Sequence, residues 1–123
     1  SERHERHGKV GRYDLVITNY ALLRRDIDTW RETKLRAVIL DEAQNIKNPD
    51  AAVSKAVFSL TATHRVALTG TPLENRPLDL WSLCRFVNPG YLGERADFAA
   101  RYDRPDAAAQ GRRPAAREQA RGQ

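Results

Sequence analysis

The strongest constraint on this chain is Val38-Ile39-Leu40-Asp41-Glu42, an apolar run without polar alternation that stops abruptly at two carboxylates. A run this dense suits a strand buried on both faces of a parallel sheet, with polar groups arriving where the strand leaves the sheet. Tyr13-Asp14-Leu15-Val16-Ile17-Thr18-Asn19-Tyr20 has the same form, and so does His64-Arg65-Val66-Ala67-Leu68, which ends in Thr69-Gly70-Thr71-Pro72. Helical patterns separate these runs. Strands alternating with helices imply an α/β architecture, a parallel sheet with right-handed crossovers and flanking helices. The strand ends at Thr18-Asn19, Asp41-Glu42 and Thr69-Gly70-Thr71 then share one rim. That carboxyl edge is where open α/β sheets bind ligands.

The helical segments can be placed by spacing and caps. Asn19 is an N-cap candidate, and behind it Tyr20, Leu23, Ile27 and Trp30 recur at helical spacing. Asn48 as N-cap, Pro49 at the first helical position and Asp50 in the first turn predict a second helix, with Val53, Ala56, Val57 and Leu60 as its apolar stripe. After the turn Leu73-Glu74-Asn75-Arg76-Pro77, a third helix carries Leu80, Leu83, Cys84 and Val87 on one face, widened by Trp81 and Phe86. Asn88-Pro89-Gly90 stops it, and a short amphipathic piece follows from Phe98 to Tyr102. Trp30 and Trp81 read as core residues rather than base-stacking platforms. Cys84 reads as a small hydrophobe on an apolar face, without the His partner a nucleophile needs. His64 precedes its strand and reads as solvent-facing.

Length and charge narrow the organisation. The 123 residues make one domain at most. No apolar run reaches the roughly 18 residues of a membrane helix, and the single cysteine excludes an internal disulfide, which fits a cytoplasmic location. The net charge of +5 is unevenly spread: residues 101–123 carry six arginines against Asp103, Asp106 and Glu118. Charge therefore says little about the folded part. Residues 1–12 read as a loop or frayed start, where His4 and His7 lack the third ligand a metal site would need. Residues 13–102 read as the folded domain. Residues 103–123 read as a disordered Arg/Ala-rich tail, because they hold too little apolar surface to offset their ordering entropy.

Asp41 and Glu42 suggest a chemistry. A carboxylate at a strand end can hold Mg²⁺ through the ion's own waters, since Mg²⁺ is hard and keeps much of its hydration shell. A second carboxylate one residue on points elsewhere and can orient or deprotonate an attacking water. This is the logic of a Walker B element. Taken alone, Asp-Glu after a strand equally fits a solvated turn or a helix start.

Taken together, Thr18-Asn19-Tyr20, Ile39-Leu40-Asp41-Glu42-Ala43-Gln44-Asn45-Ile46-Lys47-Asn48 and Ala67-Leu68-Thr69-Gly70-Thr71-Pro72-Leu73-Glu74-Asn75 resemble the Swi/Snf-type ATPases of helicase superfamily two. Leu80-Trp81-Ser82-Leu83, Phe86, Pro89-Gly90 and Leu92-Gly93 continue the resemblance, which covers about residues 13–102. It implies part of a RecA-like domain of the P-loop NTPase type, with ATP and Mg²⁺ as cofactors and double-stranded DNA as partner. By position, Asp41 would organise the Mg²⁺ and Glu42 would activate water. Gln44 would sense the nucleotide, and Thr69, Gly70 and Thr71 would couple hydrolysis to movement on DNA. Thr18, Asn19 and Tyr20 would lie near the tracked DNA strand. Asn19 can also be no more than a helix cap, and Thr69 to Pro72 no more than a turn.

One departure from the family pattern is large. No G-x-x-x-x-G-K-[ST] loop occurs, and the one Gly-Lys pair, Gly8-Lys9, is followed by Val10. Nothing here would cradle the β- and γ-phosphates. The expectation is therefore the carboxyl half of a first motor domain. Its partners would be the phosphate-loop half and a second RecA-like domain, and it would be inactive alone. The alternative is a non-catalytic module that keeps this half-domain to bind DNA or a partner.

Overall fold

A computed structural model describes residues 10–70 and 76–102. The expectations for His4 and His7, for Thr71 and the turn that follows it, and for the tail lie outside the described residues. After a 3-10 turn at Val10–Arg12 come α1 (Tyr20–Arg25), α2 (Ile27–Glu32) and β1 (Lys34–Leu40). A second 3-10 turn, Ala43–Ile46, leads to α3 (Ala52–Phe58), β2 (Thr61–Ala67), α4 (Pro77–Val87) and α5 (Arg95–Tyr102). The class is α/β. β1 and β2 pair in parallel, with Lys34 opposite Thr61, Ile39 opposite Val66 and Leu40 opposite Ala67.

The core lies between one face of this sheet and the helices. Leu40 from β1, Ile46 from the 3-10 turn and Leu60 before β2 meet Leu23 of α1, Trp30 of α2, Val57 of α3, and Leu83 and Phe86 of α4. Both tryptophans are core residues as expected: Trp30 is buried, and so is Trp81, whose Nε1 donates to the Gly93 carbonyl at 3.2 Å. That bond holds the loop ahead of α5, where Gly93 takes a φ of 71° that favours glycine. Arg65 crosses the core side of β2. Its guanidinium donates to the carbonyls of Leu60 at 2.8 Å and Phe86 at 3.3 Å, and lies 5.7 Å from the centroid of the Phe86 ring. Cys84 is half-buried on α4, and burial pushes its thiol above the ordinary value, as suits a packed rather than a reactive group.

Five expectations need correction. The run from Tyr13 to Thr18 forms no strand; Leu15 and Ile17 are 74% and 86% exposed. A buried-strand composition calls for side-chain partners and a neighbouring ladder, and among the described residues this run has neither. β1 and β2 are also not buried on both faces, since Ile39 is 61% and Val66 41% exposed on the side away from the helices. The helix expected behind Asn19 is two short ones, α1 and α2. Asp26 leaves helical geometry at φ −103°, ψ 22° and caps α1 through its N–H to the Leu22 carbonyl. Its short polar side chain is a poor interior helix former. Finally, Asn48 closes an Asx turn onto the Asp50 N–H at 3.0 Å instead of capping a helix, so α3 begins later, at Ala52. His64 lies inside β2 rather than before it, and is exposed as expected.

Candidate active site

The carboxyl ends of the two strands are joined beyond the ladder. Leu68 donates its N–H to the Leu40 carbonyl at 2.8 Å, and Ala43 donates its own to the Leu68 carbonyl at 2.8 Å. Residues 41 and 42 are therefore carried across the end of β2, and the chain must turn sharply to enter the 3-10 turn. Glu42 makes that turn with φ 48° and ψ 51°, and among the described residues it is the one non-glycine in the left-handed region. Such a conformation costs an L-residue about 1–2 kcal/mol, so its surroundings must hold it in place.

The holding groups are visible. Asp41 Oδ1 accepts from the Glu42 N–H at 2.9 Å, and the Glu42 carbonyl accepts from Asn45 Nδ2 at 2.8 Å. Tyr20 Oη donates to the Asp41 carbonyl at 2.6 Å. On the side-chain level, Gln44 Nε2 donates to Glu42 Oε2, and Gln44 Oε1 accepts from Thr69 Oγ1 at 2.9 Å. One amide thus bridges the carboxylate after β1 to the hydroxyl after β2. Burial of the Tyr20 ring raises the phenol above its ordinary value, and the Asp41 and Glu42 carboxylates add to the effect. The hydroxyl is a firmly protonated donor.

Of the residues singled out from the sequence, Tyr20, Asp41, Glu42, Gln44 and Thr69 come together in this network. Asn19 spends its side chain on the cap, accepting from the Leu22 N–H at 2.8 Å. Thr18 and Gly70 are exposed, and Thr71 lies outside the described residues. Asn45 was not anticipated. Its only sequence signal is an amide three residues after the carboxylate, within reach of a tight turn.

The donor set suits a cation that brings most of its own ligands. Among the described residues no group of three His, Cys, Asp or Glu side chains converges to hold a metal. Asp41 is exposed and has one oxygen committed to its neighbour's N–H, which leaves the other available to a hydrated ion. Mg²⁺ accepts that arrangement when phosphate oxygens supply further ligands. No described helix is long and apolar enough to cross a membrane.

The family model of the SNF2-related domain matches residues 1–121. The chain is 44% identical over 122 residues to the human TATA-binding protein-associated factor 172, which takes in 99% of this chain and 7% of that protein. It is also 44% identical over 92 residues to the putative ATP-dependent helicase/translocase YwqA of Bacillus subtilis, covering 75% of this chain and 10% of that one. Among solved structures, the Sulfolobus solfataricus SWI2/SNF2 ATPase core in complex with dsDNA superposes with a TM-score of 0.66 at 48% identity, over 72% of this chain and 19% of that one. The chain thus spans a tenth or less of these curated relatives and about a fifth of the solved core. It belongs to the SNF2-related domain family and is homologous to the helicase-like ATPases of that family.

Proposed function

We propose that this chain contributes the hydrolysis and coupling motifs of a DNA-dependent ATPase and translocase of the Swi/Snf type. In this reading residues 13–102 are part of a RecA-like ATP-binding domain. The phosphate-loop half and a second RecA-like domain complete the motor, and double-stranded DNA is its track. The observation that carries the reading is the bridge Glu42–Gln44–Thr69, which ties the acidic strand end to the neighbouring one. A solvated Asp-Glu turn would need no such link.

Each residue then has a task. Asp41 would hold a hydrated Mg²⁺ arriving with ATP, a charge that would offset the negative charge on the phosphates. Glu42 orients the attacking water and takes its proton, and Gln44 holds that carboxylate until nucleotide competes for the amide. Thr69, with Gly70 and Thr71, passes the state of the nucleotide rim to the DNA side, where Thr18, Asn19 and Tyr20 lie. The 123 residues contain no phosphate-binding glycine loop, so this chain by itself binds and hydrolyses ATP poorly.

The test is Glu42→Gln in the complete motor protein. Loss of a general base typically costs about 10²–10⁴-fold in rate, while ATP binding should persist because Asp41 is untouched. DNA-stimulated phosphate release and nucleotide affinity are measured side by side. Normal turnover in the variant would remove Glu42 from the chemistry. Absence of any DNA-stimulated turnover in the unsubstituted protein would favour a non-catalytic DNA- or partner-binding module.

A further inference from the structure

The carbonyls of Leu40, Asp41 and Glu42 follow one another through the turn, and each is met by a donor from a different element. The Leu68 N–H beyond β2 serves the first, Tyr20 Oη of α1 the second, and Asn45 of the 3-10 turn the third. The middle pair matters most. The Asp41 carbonyl and the Glu42 N–H belong to one rigid peptide plane. Its carbonyl end is held by Tyr20 at 2.6 Å and its N–H end by Asp41 Oδ1 at 2.9 Å. Rotation of that plane changes φ of Glu42, and with it the direction of the Glu42 side chain. It also releases the Asp41 carboxylate from the N–H. Both carboxylates are therefore set by one plane.

Tyr20 can hold that plane because it is itself fixed. Its ring is half-buried and packed against the core. It is the first residue of α1, directly after Asn19, whose side chain accepts from the Leu22 N–H and so fixes how the helix begins. The segment before it, residues 14–18, is exposed and lies in no helix or strand. Displacement of that segment would act on the helix start, and through it on the phenol.

We propose that Tyr20 is a positioning residue whose hydroxyl locks the Asp41–Glu42 peptide plane, so that engagement of the Thr18-Asn19 segment is transmitted to both carboxylates. This rests on the ATPase reading above and names how the same site is regulated. It also gives Tyr20 a role other than direct DNA contact: its hydroxyl is committed inward.

Tyr20→Phe in the complete protein removes the donor and keeps the ring. Two measurements decide. Hydrogen exchange of the peptide spanning residues 38–46 should accelerate about tenfold at the Glu42 amide, while the Leu68 amide is unchanged. With saturating double-stranded DNA, kcat should fall about five- to tenfold, the scale of one lost neutral hydrogen bond. The KM for ATP and the DNA concentration for half-maximal stimulation should stay within about twofold, where a fold defect would also lower the melting temperature. Unchanged exchange at Glu42 overturns the lock, even if the unsubstituted protein proves to have no DNA-stimulated hydrolysis and the ATPase reading falls. Unchanged kcat with a raised DNA requirement also overturns it, and makes Tyr20 a DNA contact.

Discussion

At the scale of single residues, the energetic tension in this protein sits at Glu42, an L-residue held in left-handed geometry by bonds from its neighbours. A second residue shows the same logic within the core. Ser82 of α4 is fully buried, and its hydroxyl donates to the Ile46 carbonyl at the end of the 3-10 turn. Among the described residues no backbone N–H meets that carbonyl, so Ser82 fastens the turn that begins at Ala43 onto α4. Ser82→Ala should destabilise the fold by about 1–3 kcal/mol, because a buried acceptor is left unmatched. Denaturant unfolding of the two forms measures it. A difference under about 0.5 kcal/mol, the range of ordinary surface changes, would show that the hydroxyl is dispensable. Ser82 was readable from the sequence only as part of a family-like stretch, since an isolated serine on an apolar helix face does not announce its acceptor.

At the scale of elements, α3 and α5 are tied by one exposed contact. Arg95 at the start of α5 donates to Asp50, in the turn before α3, at 2.6 Å. The hydrogen bond from Arg95 holds the Asp50 carboxyl below its ordinary range. The sign follows from that direction. The folded state binds this proton more weakly than the unfolded one, so the contact stabilises above the unfolded value of 3.8 and is lost as pH falls through the lower folded value. Acid titration of stability should therefore show a small component that Asp50→Asn lacks, and added salt should shrink it because both groups are exposed. If the two forms lose stability in parallel below about pH 4, the contact contributes nothing. Elements also show where spacing misleads. Tyr20, Leu23, Ile27 and Trp30 recur as one helix should, yet Asp26 splits it. The apolar positions still reach one core, because a short break preserved their common direction.

At the scale of the molecule, a parallel sheet of two strands has one face covered by helices and one bearing the exposed Ile39 and Val66. Pairs of strands alone are marginal in water and depend on what packs against them. The isolated chain should accordingly unfold at low denaturant. Its slowest amide exchange should fall in β1, β2, α3 and α4, where the core is densest, with residues 13–19 exchanging almost freely. Mass spectrometric exchange on the purified chain checks this. Strong protection across residues 13–19 would mean that the run pairs with something in solution, and that its strand-like composition is expressed after all.

Local sequence determined a great deal of this molecule. The apolar runs at 38–40 and 66–68 became paired strand ends, Asn19 became a cap, Pro77 opened a helix, and Asn88 ended it. These outcomes depend on side-chain period and backbone preference within a few residues, which a chain carries wherever it goes. The motif residues also identified the family before any coordinates. Tertiary structure decided the rest. Whether 13–18 is a strand depends on a neighbour with free N–H and C=O groups, not on its own apolar content. Whether Tyr20 faces outward or inward depends on where its helix start meets the end of β1. The bridge from Glu42 through Gln44 to Thr69 exists because parallel pairing sets two distant strand ends side by side, a proximity that no spacing along the chain encodes.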